Sequence, residues 1–455
     1  MEKTIAAIST APAPGGIGIV RISGGEAFAV AEKVFRGVSG KKVSQMKGYT
    51  AQLGGAYTPG GEKLDDVVAL VYRGPKSYTG EDVVELSCHG GLYMTKRLLQ
   101  LVLDAGAAPA GPGEFTRRAF LNGKLDLAQA EAVMGLISAS GEQARKAALA
   151  GSTGVLSRKI ESIKQGLLEQ AAHLAAWADF PEEDVPQVEE AALLEGIRQG
   201  EKALEELLQG FDRGRMYREG LVTVIAGRPN AGKSTLMNLL SGCQRSIVTQ
   251  YAGTTRDVVE ETVMVAGVPL RLADTAGIRD TDDPVESIGV QAARQRLETA
   301  QLVLAVFDSS QALEKEDWEL MDALEKVPAI AIVNKSDLPT RMDVEAIQRR
   351  FEKTVSLSAA TGEGLAALEQ ALSEILDTKD FHPQEGVLFT QRQRMDAQAA
   401  LDSLREGEQA LALGLTLDAV TVCVEDALHA LAALTGEQVS EKIVDRVFEE
   451  FCVGK

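Results

Sequence analysis

The sequence predicts a multidomain protein with an α+β N-terminal region, an all-α helical region and an α/β region inserted into the helices. Three changes along the chain support this fold class. Residues 1–119 are rich in Gly and short β-branched runs, and residues 120–219 carry long helical patterns. Residues 220–377 alternate apolar runs with amphipathic segments, and residues 378–455 are helical again. The helical stretches 120–219 and 378–455 are therefore expected to form one domain around the insertion.

The composition is that of a folded protein with several cores. At roughly 150 residues per domain, 455 residues correspond to about three domains. Hydrophobic residues make up 45% and charged residues 25%, which excludes a disulfide miniprotein, a collagen-like chain and wholesale disorder. The net charge of -19 repels nucleic acid at long range, so contact with RNA requires a local basic patch. Aromatic residues are only 5%, which disfavours stacking along a single strand.

The cysteines and the apolar runs indicate a cytoplasmic protein. Cys88, Cys243, Cys423 and Cys452 are too scattered for a disulfide framework, and no pair has the spacing of a zinc site. The first residues lack the pattern of a secretory signal. No stretch approaches about 18 uncharged apolar residues, so we expect no membrane span.

In the N-terminal region, three β-branched runs predict strands at residues 17–23, 66–74 and 82–90, and residues 91–106 form the helical stretch. In the helical region, residues 155–178 place apolar side chains three and four apart on one stripe. These side chains are Leu156, Ile160, Ile163, Leu167, Ala171 and Leu174. The last segment spaces Val439, Ile443, Val447 and Phe451 four apart, which predicts one packed face.

In the α/β region, five apolar runs predict strands of a largely parallel sheet that is buried on both faces. They read LVTVIAG, LRLADTAG, QLVLAVFD, PAIAIVN and KTVSLSA. The first run leads into residues 227–234, GRPNAGKS, which match the phosphate-binding pattern GxxxxGK[ST] between a strand and a helix. Here backbone N–H groups face phosphates, Lys233 reaches the outer phosphates and Ser234 can ligate Mg²⁺. A Gly-rich turn is the alternative for this motif alone.

Three further motifs in the expected order disfavour that alternative. Asp274 begins the run DTAG, whose Asp can hold the Mg²⁺ shell and whose Gly can sense a γ-phosphate. Asp337 ends the run NKSD, and its carboxylate matches the two N–H donors of guanine, which adenine lacks. Residues 358–359 close the next strand, and the Thr residues of 253–257, GTTRD, can complete the Mg²⁺ shell. The set indicates a Ras-like P-loop GTPase with switch loops.

The predicted nucleotide-binding residues span all of these motifs. They are Asn230, Ala231, Gly232, Lys233, Ser234, Thr235, Thr249, Thr254, Thr255, Asp274, Thr275, Ala276, Gly277, Asn334, Lys335, Asp337, Ser358 and Ala359. Ras-type enzymes carry a water-orienting Gln after the DTAG run, whereas this chain has Ile278. Hydrolysis then needs another group, and a carboxylate of the acidic loop 278–287 is a candidate. The alternative is a solvated loop without a catalytic role.

Over its whole length the sequence resembles the tRNA-modification GTPases of the MnmE (TrmE) family. The resemblance rests on GGIGIVRISG, SYTGEDVVEL, HGG, PGEFTRRAFLNGKLDLAQAEA, GRPNAGKS, GTTRD and the terminal FCVGK. The tail reads CVGK where CIGK is more usual. The resemblance implies that residues 1–119 bind a tetrahydrofolate derivative and dimerise, that 120–219 and 378–455 are helical, and that 220–377 are the inserted G domain.

The family resemblance also implies an activity and partners. With the FAD-dependent protein MnmG (GidA), such proteins attach an aminomethyl-type (carboxymethylaminomethyl) group to C5 of the wobble uridine of certain tRNAs. A 5-formyl or methylene tetrahydrofolate supplies the one-carbon unit. The cofactors implied are GTP, Mg²⁺, K⁺ and the folate. The partners implied are a second copy of the chain, MnmG in a heterotetramer or larger assembly, and tRNA.

Carried over to this sequence, the family's residues fall into three groups. Lys233 and Glu286 are the catalytic pair, and Glu286 is expected to orient water because an ordinary glutamate is a weak base. Ser234 and Thr255 would bind Mg²⁺. The proposed K⁺ ligands are Asn230, Thr249, Tyr251 and Thr254, with Gln250 in the same loop.

The folate-binding residues implied are Arg21, Glu85, Lys124 and Lys455, with Cys452 as a candidate functional residue. A carboxylate suits the pterin, and cationic side chains suit the glutamate tail of folate. The ordinary alternatives are an ion pair of Arg21 with Glu85 on a strand surface, a surface Lys124, a frayed Lys455 and a buried, inert Cys452. His89 and Cys88 are expected to be structural.

Two other functions compete with this interpretation. One is a ribosome-assembly or RNA-chaperone GTPase without modification chemistry, which would have no affinity for reduced folates. The other is a folate transferase with a vestigial G domain, which the intact Lys233, Asp274 and Asp337 argue against.

Overall fold

A computed structural model describes residues 3–179, 190–243, 261–272, 300–376, 382–449 and 451–454. The chain forms two compact units. The first unit comprises Met1–Met134 and Thr421–Lys455, and the second unit comprises Gly135–Val420. In sequence, the second unit therefore interrupts the first. The finer domain limits predicted from the sequence stay a prediction.

The first unit contains a seven-stranded sheet in the order β3-β4-β5-β6-β2-β1-β7. Its strands are β1 Ile5–Ile8, β2 Ile17–Ser23, β3 Phe35–Gly37, β4 Thr50–Tyr57, β5 Lys63–Tyr72, β6 Val83–His89 and β7 Ala108–Pro109. Only the β1–β7 pair is parallel. The helices are α1 Ala27–Val34, α2 Leu92–Asp104 and α3 Glu114–Leu121. The predicted strands and helical stretch of the N-terminal region are thus confirmed.

Buried and partly exposed side chains alternate along β2, so this sheet has two different faces. Val20 and Ile22 are fully buried and belong to the core that α1 and α2 cover, whereas Ile19 and Arg21 point to the opposite face. In register, Arg21 lies opposite Glu85 of β6, which lies opposite Leu70 of β5. This register places a charged pair on the less buried face of the sheet.

The C-terminal part of the first unit packs through a different helix face from the predicted one. Helices α4 Leu127–Ser138 and α13 Leu417–Thr435 run across the limits of the unit, and α14 spans Glu441–Glu449. Val444, Phe448 and Phe451 are buried with Leu127, whereas Ile443 is 42% exposed. The predicted stripe with Ile443 is therefore wrong at that position. Residues four apart drift around a helix of 3.6 residues per turn, so the buried face follows spacings of four and three.

In the second unit, long helices bury one stripe each. They are α5 Glu142–Ser152, α6 Val155–Asp179, α7 Glu190–Glu219 and α12 Gln391–Ala412. The predicted stripe of α6 is confirmed, because all its members except the partly exposed Ala171 are buried. Helices α7 and α12 are further linked by ion pairs, Arg198 with Glu408 and Arg405 with Glu205.

The second unit also contains the α/β region, a six-stranded sheet in the order β13-β12-β11-β8-β10-β9. Its strands are β8 Leu221–Ala226, β9 Glu261–Val265, β10 Val268–Leu272, β11 Leu302–Asp308, β12 Ala329–Asn334 and β13 Lys353–Ser356. Its helices are α8 Lys233–Cys243, α9 Lys315–Ala323, α10 Val344–Gln348 and α11 Leu365–Ile375. Every residue of β11 and β12 is buried, as predicted for a sheet covered on both faces.

Among the described strands of this sheet, β9 alone is antiparallel, and the sequence prediction missed it. Ala266 and Gly267 connect β9 to β10, with φ values of 52° and 76°. A two-residue turn with positive φ at both positions is the usual connection of a tight hairpin. The multidomain fold class with an inserted α/β region is confirmed. Within the described part of the chain, no helix has the length and apolar character needed to cross a bilayer.

Candidate functional sites

The phosphate-loop motif lies between β8 and α8, as its pattern requires. Residues 227–232 connect the end of β8 to Lys233, the first residue of α8. Gly232 has a φ of 99°, and a Cβ on it would overlap the amide of Asn334. The Lys233 Nζ donates to the carbonyls of Gly227 and Arg228, at 2.8 and 2.7 Å. Ser234 and Thr235 are exposed in the first turn of α8, at the positive end of the helix dipole.

Asn334 joins the phosphate loop to the ends of two further strands. Its buried side chain donates to the carbonyl of Ala231 at 2.8 Å and accepts from the N–H of Ala359 at 3.0 Å. Ser358, next to Ala359, is fully buried. The structure therefore brings together Ala231, Asn334 and the 358–359 motif, which the sequence assigned to one nucleotide site.

Lys335, which directly follows β12, makes a second connection to the phosphate loop. Its Nζ donates to the Asn230 carbonyl at 2.9 Å and to the Asp308 carboxylate at 2.6 Å. Burial alone would raise the pKa of Asp308, but hydrogen bonds from Lys335 and Ser310 outweigh it and lower that pKa. Asp308 is therefore ionised and fixes the ammonium that faces the phosphate loop. Asp337 is exposed at the same edge of the sheet, where a carboxylate can accept from a guanine.

Sequence reasoning missed two charged residues near the phosphate loop: Asp308, which holds Lys335, and Arg228 within the loop itself. Asp308 ends β11, and Arg228 pairs with the first turn of α9. The Arg228 Nε lies 2.9 Å from Asp317, and its Nη1 lies 2.7 Å from Glu314. The acidic start of α9 was the available signal, since carboxylates there stabilise a helix N-terminus. It did not reveal that the partner would be a phosphate-loop arginine.

Several predicted site residues lie outside the described residues. In the α/β region these are Thr249, Gln250, Tyr251, Thr254, Thr255, Asp274, Thr275, Ala276, Gly277, Ile278 and Glu286. In the tail it is Lys455.

The first unit contains a cavity of about 310 Å³ on the less buried face of its sheet. It is lined by Arg21, Tyr72, Tyr78, Val83, Glu85 and Val133. A volume of this size is at the lower end of the range for small-molecule sites. Two of the four predicted folate residues, Arg21 and Glu85, thus line one cavity. The two tyrosines were not singled out from the sequence, although Tyr78 lies in the quoted stretch SYTGEDVVEL.

The charged pair at the cavity is tightly bonded. The Arg21 Nη2 lies 2.8 Å from the Glu85 Oε1, and its Nε donates to the same oxygen at 2.9 Å. Both side chains keep some exposure, at 21% and 14%. Arg21 also lies over the ring of Phe115, 5.6 Å from its centroid. The ion pair predicted as the ordinary alternative is present, and it lines the cavity at the same time.

The two tyrosines give the cavity aromatic walls beside this pair. The hydroxyl of Tyr72 approaches the second oxygen of Glu85 at 3.5 Å. Burial and the nearby Glu85 charge raise the pKa of Tyr72, and burial raises that of Tyr78. Both phenols are therefore neutral hydrogen-bonding groups at physiological pH.

Lys124 and Cys452 lie elsewhere in the first unit. The Lys124 Nζ donates to the Pro75 carbonyl at 3.0 Å, and neither Lys124 nor Cys452 is among the described residues that line the cavity. The Cys452 carbonyl accepts from the N–H of Gly113, at the start of α3. Cys88 is buried, as predicted, and His89 contacts Asp65 at 2.6 Å.

Comparisons with known proteins match the chain over its whole length. The family model of the GTP-binding protein TrmE N-terminus matches residues 4–124, and that of the MnmE helical domain matches residues 127–452. The tRNA modification GTPase MnmE of Symbiobacterium thermophilum is 45% identical, and that of Alkaliphilus oremlandii is 42% identical. Each alignment covers 100% of both chains.

Among solved structures, the G domain of the T. maritima FeoB iron transporter is 25% identical and covers 34% of this chain and 98% of its own. Its TM-score of 0.26 is too low to support an argument. The two family models and the full-length relatives are sufficient without it. The chain therefore belongs to the MnmE family of tRNA modification GTPases.

Proposed function

We propose that this GTPase uses a tetrahydrofolate one-carbon unit to modify C5 of the wobble uridine of tRNA, together with an FAD-dependent partner of the MnmG (GidA) type. The product would carry an aminomethyl-type (carboxymethylaminomethyl) group. GTP binding and hydrolysis would switch the protein between states of this reaction. One observation carries the proposal: a cavity with a carboxylate, a guanidinium and two tyrosines lies in the same chain as the phosphate loop.

The lining of the cavity fits a pterin. Glu85 presents carboxylate oxygens that can accept from the amino group and the ring N–H of a pterin, which form a matched pair of donors. Tyr72 and Tyr78 offer aromatic faces for the flat ring system. Arg21 holds the Glu85 carboxylate in place for this contact. The folate supplies the one-carbon unit when bound, while these residues bind and orient it.

The remaining proposed folate residues are Lys124, Cys452 and Lys455. Lys124 contacts the loop that carries Tyr78, which supports a role in holding that loop. Cys452 and the position of Lys455 belong to a tail whose described residues pack within the first unit. Ser9 donates to the Gly454 carbonyl at 3.1 Å, and Phe451 packs against Phe448. We retain Cys452 and Lys455 as candidates for the folate site.

For GTP, we assign Lys233 to the outer phosphates, Ser234 and Thr255 to Mg²⁺, and Asp337 to the guanine. The exposed Ser234 at the start of α8 fits a hard cation, which prefers oxygen ligands. K⁺ would be held by Asn230, with Thr249, Tyr251 and Thr254. Because the Asn230 carbonyl already accepts from Lys335, its side-chain oxygen is the group proposed to bind K⁺. Glu286 would orient the attacking water.

A homodimer and a cytoplasmic location complete the proposal. The less buried face of the first unit's sheet carries exposed apolar side chains, including Ile17 at 65%, Leu53 at 57% and Val68 at 38%. Such a surface is typical of a protein interface. We assign it to a second copy of the chain, and we expect tRNA and MnmG to be the other partners.

The folate assignment is tested by equilibrium binding of 5-formyltetrahydrofolate to the full chain. We expect the wild type to bind, and Glu85→Gln to weaken binding about tenfold or more, because the carboxylate that matches the pterin donors is lost. Asp66→Asn is the matched control, since Asp66 pairs with Lys63 on the exposed part of the same sheet. It should bind folate as the wild type does. A wild type without measurable affinity for reduced folates would leave only a GTPase switch, as in ribosome assembly.

A further inference from the structure

The cavity wall that contains Tyr78 belongs to a loop without regular secondary structure. Residues 74–82, here called the pocket loop, connect β5 to β6. Surface loops are usually the more mobile parts of a protein, so a binding wall on a loop needs fixed anchors. The anchors of this loop come from α3 and from the turn that follows it.

Four side chains of residues 116–124 hold the pocket loop along its length. The Thr116 and Tyr78 hydroxyls are hydrogen-bonded at 2.9 Å. Asn122 donates to the Thr79 carbonyl at 2.7 Å, and Lys124 donates to the Pro75 carbonyl at 3.0 Å. The fourth side chain is Arg118, which contacts Glu81 near the end of the loop.

Arg118 is the only one of these four anchors that is charged and almost completely buried. Its side chain is 5% exposed, and its Nη1 lies 3.1 Å from both oxygens of Glu81. Its Nη2 donates to the Lys3 carbonyl at 2.8 Å and to Glu114 at 3.0 Å. Glu81 also accepts from the Ser23 hydroxyl at 2.7 Å, which links the loop to the end of β2.

This arrangement has a consequence for Tyr78. The planar guanidinium contacts Glu81 through Nη1, and the Lys3 carbonyl and Glu114 through Nη2, so it sets both distance and direction; a lysine has only one nitrogen. Glu81 is three residues from Tyr78, and Thr116 on the same helix holds the Tyr78 hydroxyl. Loss of Arg118 would leave Glu81 without this arginine, and the Thr116–Tyr78 hydrogen bond would have to hold the loop to α3 without the charged contact.

We propose that Arg118 is a positioning residue of the cavity: by holding Glu81 it fixes the pocket loop, and with it the wall formed by Tyr78. Arg118 is not among the residues that line this cavity, so it acts through Glu81 and not by contact with the ligand. For the identity of the ligand, a reduced folate, this inference rests on the proposed function.

The test compares 5-formyltetrahydrofolate binding and GTP hydrolysis in the full-length protein. We expect Arg118→Ala to weaken folate binding about ten- to hundredfold, because small displacements of a site wall have effects of this size. The folate affinity of Arg118→Lys should lie between these two, since one ammonium cannot contact Glu81 and also replace the Nη2 bonds to Lys3 and Glu114. GTP hydrolysis, which belongs to the second unit, should stay at the wild-type rate. Circular dichroism and the urea unfolding transition show whether the first unit of each variant is folded. Glu81→Gln removes the same pair and replaces Arg118→Ala if that variant does not fold.

Arg117→Ala is the matched control, because the neighbouring arginine pairs with Asp445 instead, at 3.2 Å. It should change folate affinity less than about twofold, as expected for a partly exposed pair that does not contact the pocket loop. A double-mutant cycle with Tyr78→Ala separates positioning from general stability. If Arg118 acts through Tyr78, adding Arg118→Ala to the Tyr78→Ala variant causes little further loss of folate affinity.

Two results would overturn the inference: wild-type folate affinity in both Arg118→Ala and Glu81→Gln, or fully additive losses in the cycle. A wild type that binds no reduced folate at all would instead refute the proposed function, so the two failures are distinguishable.

Discussion

Lys335 shows how one side chain couples the predicted base-recognition motif to the phosphate loop. It adopts a positive φ of 62°, and its Nζ lies between the Asn230 carbonyl and the Asp308 carboxylate. The motif NKSD was predicted from the sequence, whereas Asp308 was not. Its ordinary strand-end position gave no signal, and only the contact across 27 residues reveals its role.

At this scale we predict that Asp308→Asn weakens nucleotide binding severalfold, because the Lys335 ammonium loses its fixed partner. The variant should also be less stable by about 1–3 kcal/mol at pH 7. Since the folded-state pKa of Asp308 is lowered, its stabilising contribution is present above the unfolded pKa and is lost as pH falls through the folded pKa. Urea unfolding at pH 7 and below pH 4 gives the free energy of unfolding of both proteins. The difference in this free energy between wild type and Asp308→Asn should be smaller at the acidic pH.

Asp322→Asn provides the comparison for that experiment. Asp322 pairs with Arg350 on the surface, with 65% and 44% of the side chains exposed. The substitution Asp322→Asn should change the free energy of unfolding by less than about 1 kcal/mol. Equal effects of the two substitutions would contradict the role given to Asp308.

At the scale of elements, strands and helices were predictable where apolar spacing is regular. The five apolar runs of the α/β region became strands, and the stripe of α6 is buried as predicted. The short strand β9 was missed, and Ile443 was placed on the wrong face of α14. A spacing of four is compatible with two neighbouring helix faces, and packing against Leu127 decides between them.

An element-scale prediction concerns the link between the phosphate loop and α9. Arg228→Ala leaves the carboxylate of Asp317, which is 2% exposed, without its arginine. Breaking a buried pair in this way costs about 3–5 kcal/mol, so we expect a less stable α/β region and weaker nucleotide binding. Titration with a fluorescent GDP analogue and urea unfolding measure both effects.

The double variant Arg228→Ala, Asp317→Ala distinguishes two causes of instability. One is the unpaired charge of Asp317, and the other is the loss of the contacts that the Arg228 side chain makes. Removing both partners avoids the unpaired charge, so this variant should recover part of the stability lost in Arg228→Ala. Arg349→Ala is the control, because its pair with Glu345 is 72% and 82% exposed. A double variant less stable than the single one would refute the explanation.

At the scale of the whole molecule, the phosphate loop lies in the second unit and the proposed folate cavity in the first. The two sites therefore belong to separately packed parts of the chain. Changes at one site should leave equilibrium binding at the other intact, even where turnover of the complete reaction depends on both.

Glu286→Ala tests this separation together with the proposed catalytic group. We expect nearly unchanged affinity for GTP and for 5-formyltetrahydrofolate, but greatly slowed hydrolysis, because water is no longer oriented. Replacing K⁺ by Na⁺ should slow the wild type as well. Single-turnover hydrolysis in either salt provides the measurement. Wild-type rates in the variant would remove Glu286 from the mechanism, and equal rates in both salts would remove the potassium site.

The sequence by itself determined the features that depend on local spacing. These are the fold class with its inserted α/β region, the phosphate-loop and base-recognition motifs, and the likeness to one family over the whole chain. Such patterns are short-range, because backbone periodicity and turn chemistry act over a few residues.

Only the tertiary structure decided which side chains meet. It placed Arg21 against Glu85 across 64 residues, Arg228 against Asp317 across 89, and Arg118 against the pocket loop. It also showed that Tyr72 and Tyr78 line the cavity, whereas Lys124 contacts Pro75. These contacts depend on strand register and helix rotation, where a shift of one residue turns a side chain to another face.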